Sequence, residues 1–324
     1  EVLRRHKAVP VIPKICCILL PPCCCCCFLL RKAALALTDC LSCVHCSPPL
    51  AVIVLRALFS ATGGDSGTWH QPMPPWDFNA ADAPCSFGGV LCDQGDITNI
   101  ELPNTALIGT LPIPELANLT AMRRFDVSQN SLTGTLPGEL GDAWAHSLEA
   151  FAVSSNYLTG ELPSSFAKCR KMMDFRVNNN NITGNLRDEF GNGWGSSLAS
   201  FAVSNNSITG TLPDAYKSWN NITIFWVDQN RLVGTLPSSY RNWTKITEFY
   251  VGFNLLNGTL PSQYAEWAVI DRALFNDNQL SGTLPAGVCS VQQFSYRGTS
   301  RNVRHVVERD DSRCRYELLD WEPS

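Results

Sequence analysis

Residues 125 to 137 read FDVSQNSLTGTLP, and nearly the same line returns as FAVSSNYLTGELP (151 to 163), FAVSNNSITGTLP (201 to 213) and FYVGFNLLNGTLP (249 to 261). The central glycine of this line recurs at spacings of 24 to 26 residues, at Gly109, Gly134, Gly160, Gly184, Gly210, Gly234, Gly258 and Gly282. Repetition at such a period predicts a stack of similar structural units. The body of the chain is therefore an array of eight units.

Each unit opens with an alternating pair such as Phe125 and Val127, which predicts a short strand with one buried face. Stacking these strands produces a parallel sheet. In seven of the eight units an asparagine follows the strand, where an inward-pointing amide can pair with backbone groups of its own and adjacent turns. These ladder asparagines are Asn130, Asn156, Asn180, Asn206, Asn230, Asn254 and Asn278. The glycine permits a bend that a Cβ would resist, and the proline fixes the exit to the outer side.

This pattern resembles leucine-rich repeats with LTGxLP turns, as in plant extracellular receptors and polygalacturonase-inhibiting proteins. The Phe-x-Val strands and the outer segments YRNW (240 to 243) and YAEW (264 to 267) also resemble surface repeat proteins of kinetoplastid protists, the promastigote surface antigen family among them. The resemblance covers residues 97 to 292. It implies an α/β fold: a right-handed solenoid bent into an arc, with a parallel β-sheet on the concave face and irregular or 3₁₀ segments outside.

Residues 51 to 96 resemble the amino-terminal cap of such arrays, with Phe87 in the place of a tryptophan in APCSFGGVLCD (83 to 93). The resemblance implies a disulfide between Cys85 and Cys92, and a reactive dithiol is the alternative. Residues 293 to 324 form a tail that matches no known cap. Cys289 and Cys314 are candidates for a second bridge.

Residues 1 to 50 form a cysteine-rich, apolar leader whose uncharged stretch at 15 to 30 lies between basic residues, as in an export signal. A short signal anchor with acylated cysteines is the alternative, which would attach the chain to a membrane. CxxCxxC at 40 to 46 lacks a second ligand pair, so we predict no metal and no cofactor. Residues 33 to 324 carry 28 acids against 19 bases, a net charge of −9, which argues against a nucleic-acid partner.

N-linked glycosylation sequons accompany the predicted export signal. They lie at Asn118, Asn181, Asn205, Asn221, Asn242 and Asn257. In a secreted chain these asparagines are candidate glycosylation sites. We therefore expect an extracellular or cell-surface glycoprotein.

Bulky residues recur on the outer side of the units, at Trp144, Cys169, Trp194, Trp219, Trp243 and Trp267. A tryptophan series could stack on carbohydrate, but a packed ridge under the outer segments is the simpler interpretation. By the same argument Cys169 is a small buried apolar residue.

The repeat does not constrain the residue type at outward-facing strand positions. Residues that recognise a partner are therefore expected there. Trp226, Tyr250 and Leu274 share one column in adjacent units, with Phe253 nearby, and predict an exposed apolar stripe that anchors a protein or glycan. Charged residues flank the stripe and complete the candidate ligand-binding set: Arg176, Asp228, Glu248 and Arg272. A tail folded over the stripe is the alternative for its apolar part, and a plain surface ion pair is the alternative for Glu248 and Arg272.

No catalytic motif occurs in the chain, and its five histidines lie beside no nucleophile. Asp228 and Glu248 are expected about 14 Å apart, beyond the reach of a glycosidase pair. The sequence therefore predicts a recognition module that is not an enzyme. The competing hypotheses are a glycosylated structural or adhesive coat protein and the ectodomain of a larger receptor.

Overall fold

A computed structural model describes residues 49–70, 74–80, 83–282, 293–295, 304–308 and 315–319. The chain divides into two compact units, Glu1–Pro49 and Leu50–Ser324, and the second contains the array. The predicted leader, apart from Pro49 and Leu50, lies outside the described residues, and so do Cys289 and Cys314.

The strands of the described residues are short, and most span three residues. In chain order they are β1 (Val90–Asp93), β2 (Asp96–Glu101), β3 (Ile108–Thr110), β4 (Arg124–Asp126), β5 (Ser131–Thr133), β6 (Ala150–Ala152), β7 (Thr159–Glu161), β8 (Asp174–Arg176), β9 (Asn181–Thr183), β10 (Ser200–Ala202), β11 (Ile224–Trp226), β12 (Val233–Thr235), β13 (Glu248–Tyr250), β14 (Leu255–Thr259), β15 (Arg272–Leu274), β16 (Gln279–Ser281), β17 (Gln293–Ser295), β18 (Arg304–Glu308) and β19 (Arg315–Leu319).

Helical segments occupy the outer side of the first seven units, where the sequence predicts irregular or 3₁₀ segments. Four of these units have a 3₁₀ segment, and three have a short α-helix instead. The α-helices are α1 (Leu50–Ala61), α2 (Ile113–Leu116), α3 (Gly138–Ala143) and α4 (Asp188–Trp194). The 3₁₀ segments are Gly64–Ser66, Ser164–Lys168, Asp214–Ser218, Ser238–Asn242 and Ser262–Glu266. Within the described part of the chain, none of the helices combines the length and apolar character that a bilayer crossing requires.

The main sheet has ten strands in the order β1-β2-β4-β6-β8-β10-β11-β13-β15-β17. Apart from the antiparallel β1–β2 pair, neighbouring strands are parallel, and equivalent residues of successive units stand in register, as Phe201 does with Phe225 and Phe225 with Phe249. We call the solvent side of this sheet the sheet face. β17 extends the sheet beyond the eight predicted units by pairing with β15.

A second set of strands follows the ladder asparagines, which the sequence did not predict. These strands pair as β3–β5, β7–β9 and β12–β14–β16, and we call them the edge strands. Their glycines have positive φ: at Gly234 φ is 80°, and a Cβ would lie 2.9 Å from Cγ2 of Thr211. The glycine is needed here both for its backbone conformation and for this close approach.

The core is a stack of aromatic rings that follows the array. Ring centroids of successive strand phenylalanines lie 5.8 Å apart for Phe201–Phe225 and 5.5 Å apart for Phe225–Phe249. The outer tryptophans are buried, and Nε1 of Trp243 donates a hydrogen bond to the Tyr216 carbonyl at 2.9 Å. The outer series therefore packs the interior, and Cys169 is buried with it.

The ladder asparagines join neighbouring units, as Asn230 illustrates. Its Oδ1 accepts from the Ile208 N–H at 2.9 Å, one unit earlier. Its Nδ2 donates to the carbonyls of Val203 at 3.0 Å, Val227 at 3.2 Å and Asp228 at 3.2 Å. One side chain thus satisfies backbone groups in two consecutive turns, which is the role that a buried amide can fill and a Leu cannot.

The first strands are covered by α1 and a cap built around aromatic rings. Phe87 is buried and stacks on Trp76 with ring centroids 5.2 Å apart, so it fills the place of the missing tryptophan. A disulfide of 1.99 Å joins Cys85 to Cys92 beside this cluster. The cap therefore shields the end of the aromatic core from water.

Candidate functional site on the sheet face

The sheet places the predicted apolar stripe on three consecutive strands. Trp226 on β11 stands in register with Tyr250 on β13, which stands in register with Leu274 on β15. Because the residues on either side of each stripe position pack into the core, the stripe residues face the opposite way. All three are half-buried.

The rings of Trp226 and Tyr250 stack on each other, with centroids 5.4 Å apart and planes 1° from parallel. Each ring therefore covers one face of the other. Ala202, in register with Trp226 on the preceding strand, is only 1% exposed, so side chains from its neighbours close over it. Trp226 and Tyr250 are both half-buried, so only part of each ring is exposed to the solvent.

A polar frame holds the aromatic pair in place. The Trp226 indole Nε1 donates to Glu248 Oε2 at 3.0 Å. Glu248 Oε1 lies 3.7 Å from Arg272 Nη1, and Arg272 Nε lies 3.7 Å from Asp271 Oδ2. The Glu248–Arg272 pair is present, as the alternative interpretation expected, but its carboxylate also orients the indole.

The electrostatics of the frame concern mainly Tyr250 and Arg272. Partial burial raises the pKa of the Tyr250 hydroxyl, a hydrogen bond with Arg272 lowers it, and the charge of Glu248 raises it further. The hydrogen bond with Tyr250 also raises the pKa of Arg272, and the charges of Glu248 and Asp271 add to this effect. Arg272 is therefore a permanent cation and Tyr250 a neutral hydroxyl at physiological pH.

Phe253 lies where the chain turns toward the edge strands, with φ at 51° and 53% of its surface exposed. The equivalent positions have the same left-handed backbone and carry polar residues: Gln129, Ser155, Asn179, Asn205, Gln229 and Asp277. A bulky aromatic residue in this region is an outlier, because its Cβ crowds the backbone. Backbone strain of this kind clusters at active sites, ligand clamps and switch regions of proteins.

The remaining predicted residues lie around this cluster at different distances. Asp228 accepts a hydrogen bond from the Ser204 hydroxyl and one of 3.3 Å from Gln229 Nε2. Arg176 pairs with Asp174 of its own strand at 2.8 Å. β8 is separated from β11 by β10, so Arg176 stands roughly 10 Å from Trp226 along the sheet. The structure thus brings Trp226, Tyr250, Glu248 and Arg272 into one cluster and leaves Arg176 outside it.

The sequence analysis missed two exposed apolar residues outside this cluster. Val233 and Leu255 are exposed on the edge strands β12 and β14, where they stand in register with each other. Their signal was present in the repeat, because most other units carry polar residues at these positions. Among the described residues, no group of three or more His, Cys, Asp or Glu side chains is placed to hold a metal ion.

Comparison with known proteins gives several matches. No family model matches the chain. Over 87 residues the chain is 37% identical to the Arabidopsis thaliana protein named Probable inactive receptor kinase RLK902, a match that covers 27% of this chain and 12% of that protein. It is 29% identical over 93 residues to the LRR receptor-like serine/threonine-protein kinase RGI3 of the same plant, covering 28% of this chain and 8% of that one.

Among solved structures, the chain is similar to the LRR ectodomain of the Arabidopsis thaliana receptor kinase GASSHO1/SCHENGEN3, in complex with CASPARIAN STRIP INTEGRITY FACTOR 2. The TM-score is 0.64 at 25% identity, over 76% of this chain and 29% of that one. The Arabidopsis receptor kinase HAESA, in complex with the peptide hormone IDA and the co-receptor SERK1, gives a TM-score of 0.59 at 22% identity, over 76% of this chain and 45% of that one.

The chain has the leucine-rich repeat fold. Its α/β solenoid with a parallel sheet is the predicted architecture, and the predicted resemblance to plant extracellular receptors is confirmed. The chain spans 12% or less of the length of these two curated relatives. The functions of the whole relatives are therefore not assigned to this chain on the basis of these matches.

Proposed function

We propose that the array recognises an extracellular protein or peptide ligand on its sheet face, around Trp226, Tyr250 and Phe253. The observation that carries this proposal is the combination of the stacked ring pair with an exposed aromatic residue in a strained backbone. Aromatic side chains held by packing lose little entropy on binding and are frequent anchors of binding energy. The array has no structural need for them, because other units use small or polar residues at these positions.

A peptide fits this surface better than a glycan. Sugar recognition by aromatic residues uses an open ring face and nearby hydrogen-bond donors. Trp226 and Tyr250 each cover one face of the other's ring, and the indole N–H is already donated to Glu248. The exposed parts of the two rings, beside an apolar Leu274, suit apolar side chains of a partner, while Asp228, Glu248 and Arg272 suit its polar groups.

Two further observations support an extracellular role. The structural relatives named above are receptor ectodomains whose complexes contain peptide hormones or a further protein factor. None of the predicted sequons lies on a strand of the ten-stranded sheet, so glycans attached there would leave that sheet open. We propose in addition that the chain is secreted or displayed at the cell surface, with membrane attachment through the predicted leader. The resemblance to kinetoplastid surface proteins also stays a proposal.

The test is a selection of peptide and protein binders on the chain, followed by affinity measurement on variants. Trp226→Ala with Tyr250→Ala should weaken selected binders by more than about tenfold, because two aromatic anchors of the interface are lost. The matched control is Glu101→Ala with Arg124→Ala, a surface ion pair of 3.3 Å on β2 and β4 of the same sheet. Circular dichroism establishes that both double variants fold.

Binders that lose affinity on the control variant alone would contradict the proposal. A chain that binds only members of a glycan panel would contradict its peptide part. Adhesion to surfaces that is insensitive to both double variants would favour the coat-protein hypothesis.

A further inference from the structure

Large apolar side chains are exposed at four positions on or beside the edge strands. Ile108 on β3 is 41% exposed. Tyr157 is 61% exposed just before β7, Leu255 is 46% exposed on β14, and Val233 is 40% exposed on β12. The first unit carries Ala106 and Ile108 at the same two positions. In the later units the remaining residues at these positions are polar, among them Ser131, Thr133, Thr159, Thr183, Ser207, Thr209, Arg231, Gln279 and Ser281. The apolar residues are therefore departures from a polar surface, and a solvent-exposed apolar patch normally has a partner.

Tyr157, Val233 and Leu255 adjoin a sequon asparagine, whereas Ile108 lies beside Gly63 of the cap. Asn257 lies two residues after Leu255 on the same strand, so both side chains point to the same side. Val233 stands in register with Leu255 on the adjacent strand, about 4.8 Å away. The Asn181 N–H donates to the Leu158 carbonyl at 2.8 Å, which places Asn181 next to Tyr157.

The amide groups of these asparagines are also free within the described fold. Asn181 and Asn257 are exposed, and their side chains make no hydrogen bond to other described residues. Three of the other sequon asparagines already use their amide nitrogen as a hydrogen-bond donor. Asn118 donates to the carbonyls of Pro114 and Glu115. Asn205 donates to the Asn179 side chain, and Asn221 donates to the Ser196 carbonyl. Asn242 is the remaining sequon with a free amide.

We propose that Asn181 and Asn257 carry N-linked glycans whose first sugars lie on Tyr157 and on the Val233–Leu255 pair. The apolar CH faces of a sugar ring pack on aromatic and aliphatic side chains, and a tether raises the local concentration of the covering group. The covering removes an apolar patch from strands that would otherwise invite self-association. The glycan thus covers the apolar residues at the edge strands, and the proposed ligand of the sheet face is not needed to cover them.

The modification itself requires a lipid-linked oligosaccharide diphosphate and the transferase of the secretory pathway. The side-chain amide nitrogen forms a bond to the anomeric carbon of the first sugar. The bond from that carbon to the diphosphate breaks, the lipid diphosphate leaves with the bonding electrons, and the amide loses one proton.

Asn242 provides a matched control. It is an exposed sequon with a free amide, but its surroundings are polar: a shallow cavity of about 240 Å³ there is lined by Ser238, Ser239, Arg241, Asn242 and Gln263. A glycan at Asn242 would cover no large apolar side chain. Removing it tests glycan loss alone.

The chain is secreted from a eukaryotic host, and occupancy is measured by mass spectrometry of its glycopeptides. Asn257→Gln should raise binding of a hydrophobic fluorescent dye by about twofold over wild type, because Val233 and Leu255 become uncovered. Asn242→Gln should leave dye binding unchanged. Adding Leu255→Ser and Val233→Thr to Asn257→Gln should return the signal to the wild-type level.

Enzymatic trimming of the wild-type chain keeps the test independent of variant secretion. An endoglycosidase that leaves the first sugar should not change dye binding, whereas an amidase that removes the whole glycan should raise it. An unoccupied Asn257 in the secreted chain would overturn the proposal. Equal dye binding by occupied wild type and the Asn257→Gln variant would overturn it as well.

Discussion

The indole nitrogen of Trp226 is tied to the next strand of the sheet by a 3.0 Å hydrogen bond to Glu248. Trp226 is also the only tryptophan among the described residues that is not buried. Glu248→Ala should therefore free the indole and increase the fraction of tryptophan fluorescence that acrylamide quenches. Glu248→Gln, which keeps an acceptor, should stay close to wild type.

The control for this measurement is Trp226→Phe in a Trp321→Phe background, because Trp321 lies outside the described residues. Trp226→Phe should remove the accessible component that Trp226 contributes to the fluorescence. Adding Glu248→Ala to Trp226→Phe should then have no further effect on quenching. Increased quenching in that double variant would show that Glu248 holds a wider part of the sheet in place.

Phe253 should weaken the fold that carries it. Phe253→Asn is expected to raise the free energy of unfolding by up to about 1 kcal/mol, because asparagine tolerates the left-handed backbone better than a bulky residue does. The same substitution should lower the affinity for a sheet-face ligand. Phe253→Ala removes the ring and keeps the strained backbone, so it should lose affinity without a gain in stability. Urea denaturation measures the first effect, and an unchanged or lower stability of Phe253→Asn would contradict the assignment of strain.

The ladder should be sensitive to loss of a single amide. Asn230→Leu leaves the Ile208 N–H and the carbonyls of Val203, Val227 and Asp228 without their side-chain partner, so we expect the free energy of unfolding to fall by about 3 kcal/mol. Asn220→Leu, at an exposed position in the preceding unit, should change it by less than about 0.5 kcal/mol. Comparable losses in the two variants would argue against the hydrogen bonds as the cause.

Stability should decline at alkaline pH. Burial raises the pKa of Tyr216, Tyr240 and Tyr264 well above their ordinary value of 10.0. Above pH 10 the unfolded chain releases these protons and the folded chain keeps them, so the unfolded state is favoured as pH rises. Below pH 10 the contribution is fully present. Each tyrosine should lower the free energy of unfolding by up to about 1.4 kcal/mol per pH unit in this range.

Tyr240→Phe isolates the contribution of one buried tyrosine to the pH dependence of the free energy of unfolding. The variant loses the 2.9 Å hydrogen bond from the hydroxyl to the Pro213 carbonyl, so it should be about 1 kcal/mol less stable at neutral pH. Its decline above pH 10 should be shallower than that of wild type, because one fewer buried hydroxyl is involved. Urea denaturation at pH 8, 10 and 11 provides the comparison, and equal slopes would contradict the assignment.

The repeat made the scaffold predictable because the same residue types meet the same physical demand in every unit. Phe225 and Asn230 could be placed from sequence, since burial and backbone pairing keep the same residue types at their positions in most units. The edge strands were missed because a glycine-centred segment such as Val233–Thr235 has the composition of a turn. Their pairing depends on contact with the next unit.

The site was less predictable because its geometry depends on side-chain conformations. The column alignment placed Trp226 beside Tyr250, but it carried no information on the ring planes or on the bond to Glu248. It did contain the signal at Phe253, an aromatic residue in a column of polar ones, although the backbone strain there became evident only from φ.

Each ladder asparagine pairs with backbone groups of the unit before it. Insertions and deletions should therefore be tolerated best when they comprise one whole repeat. Loss or duplication of a complete unit leaves every remaining amide with an equivalent set of backbone partners, since the Asn230 contacts recur at Asn254. Such an event would shift the Trp226–Tyr250 pair by one strand spacing, about 4.8 Å, relative to the first strands while the interior stays intact. Gain or loss of a whole unit can therefore change the arrangement of surface residues while the fold is preserved.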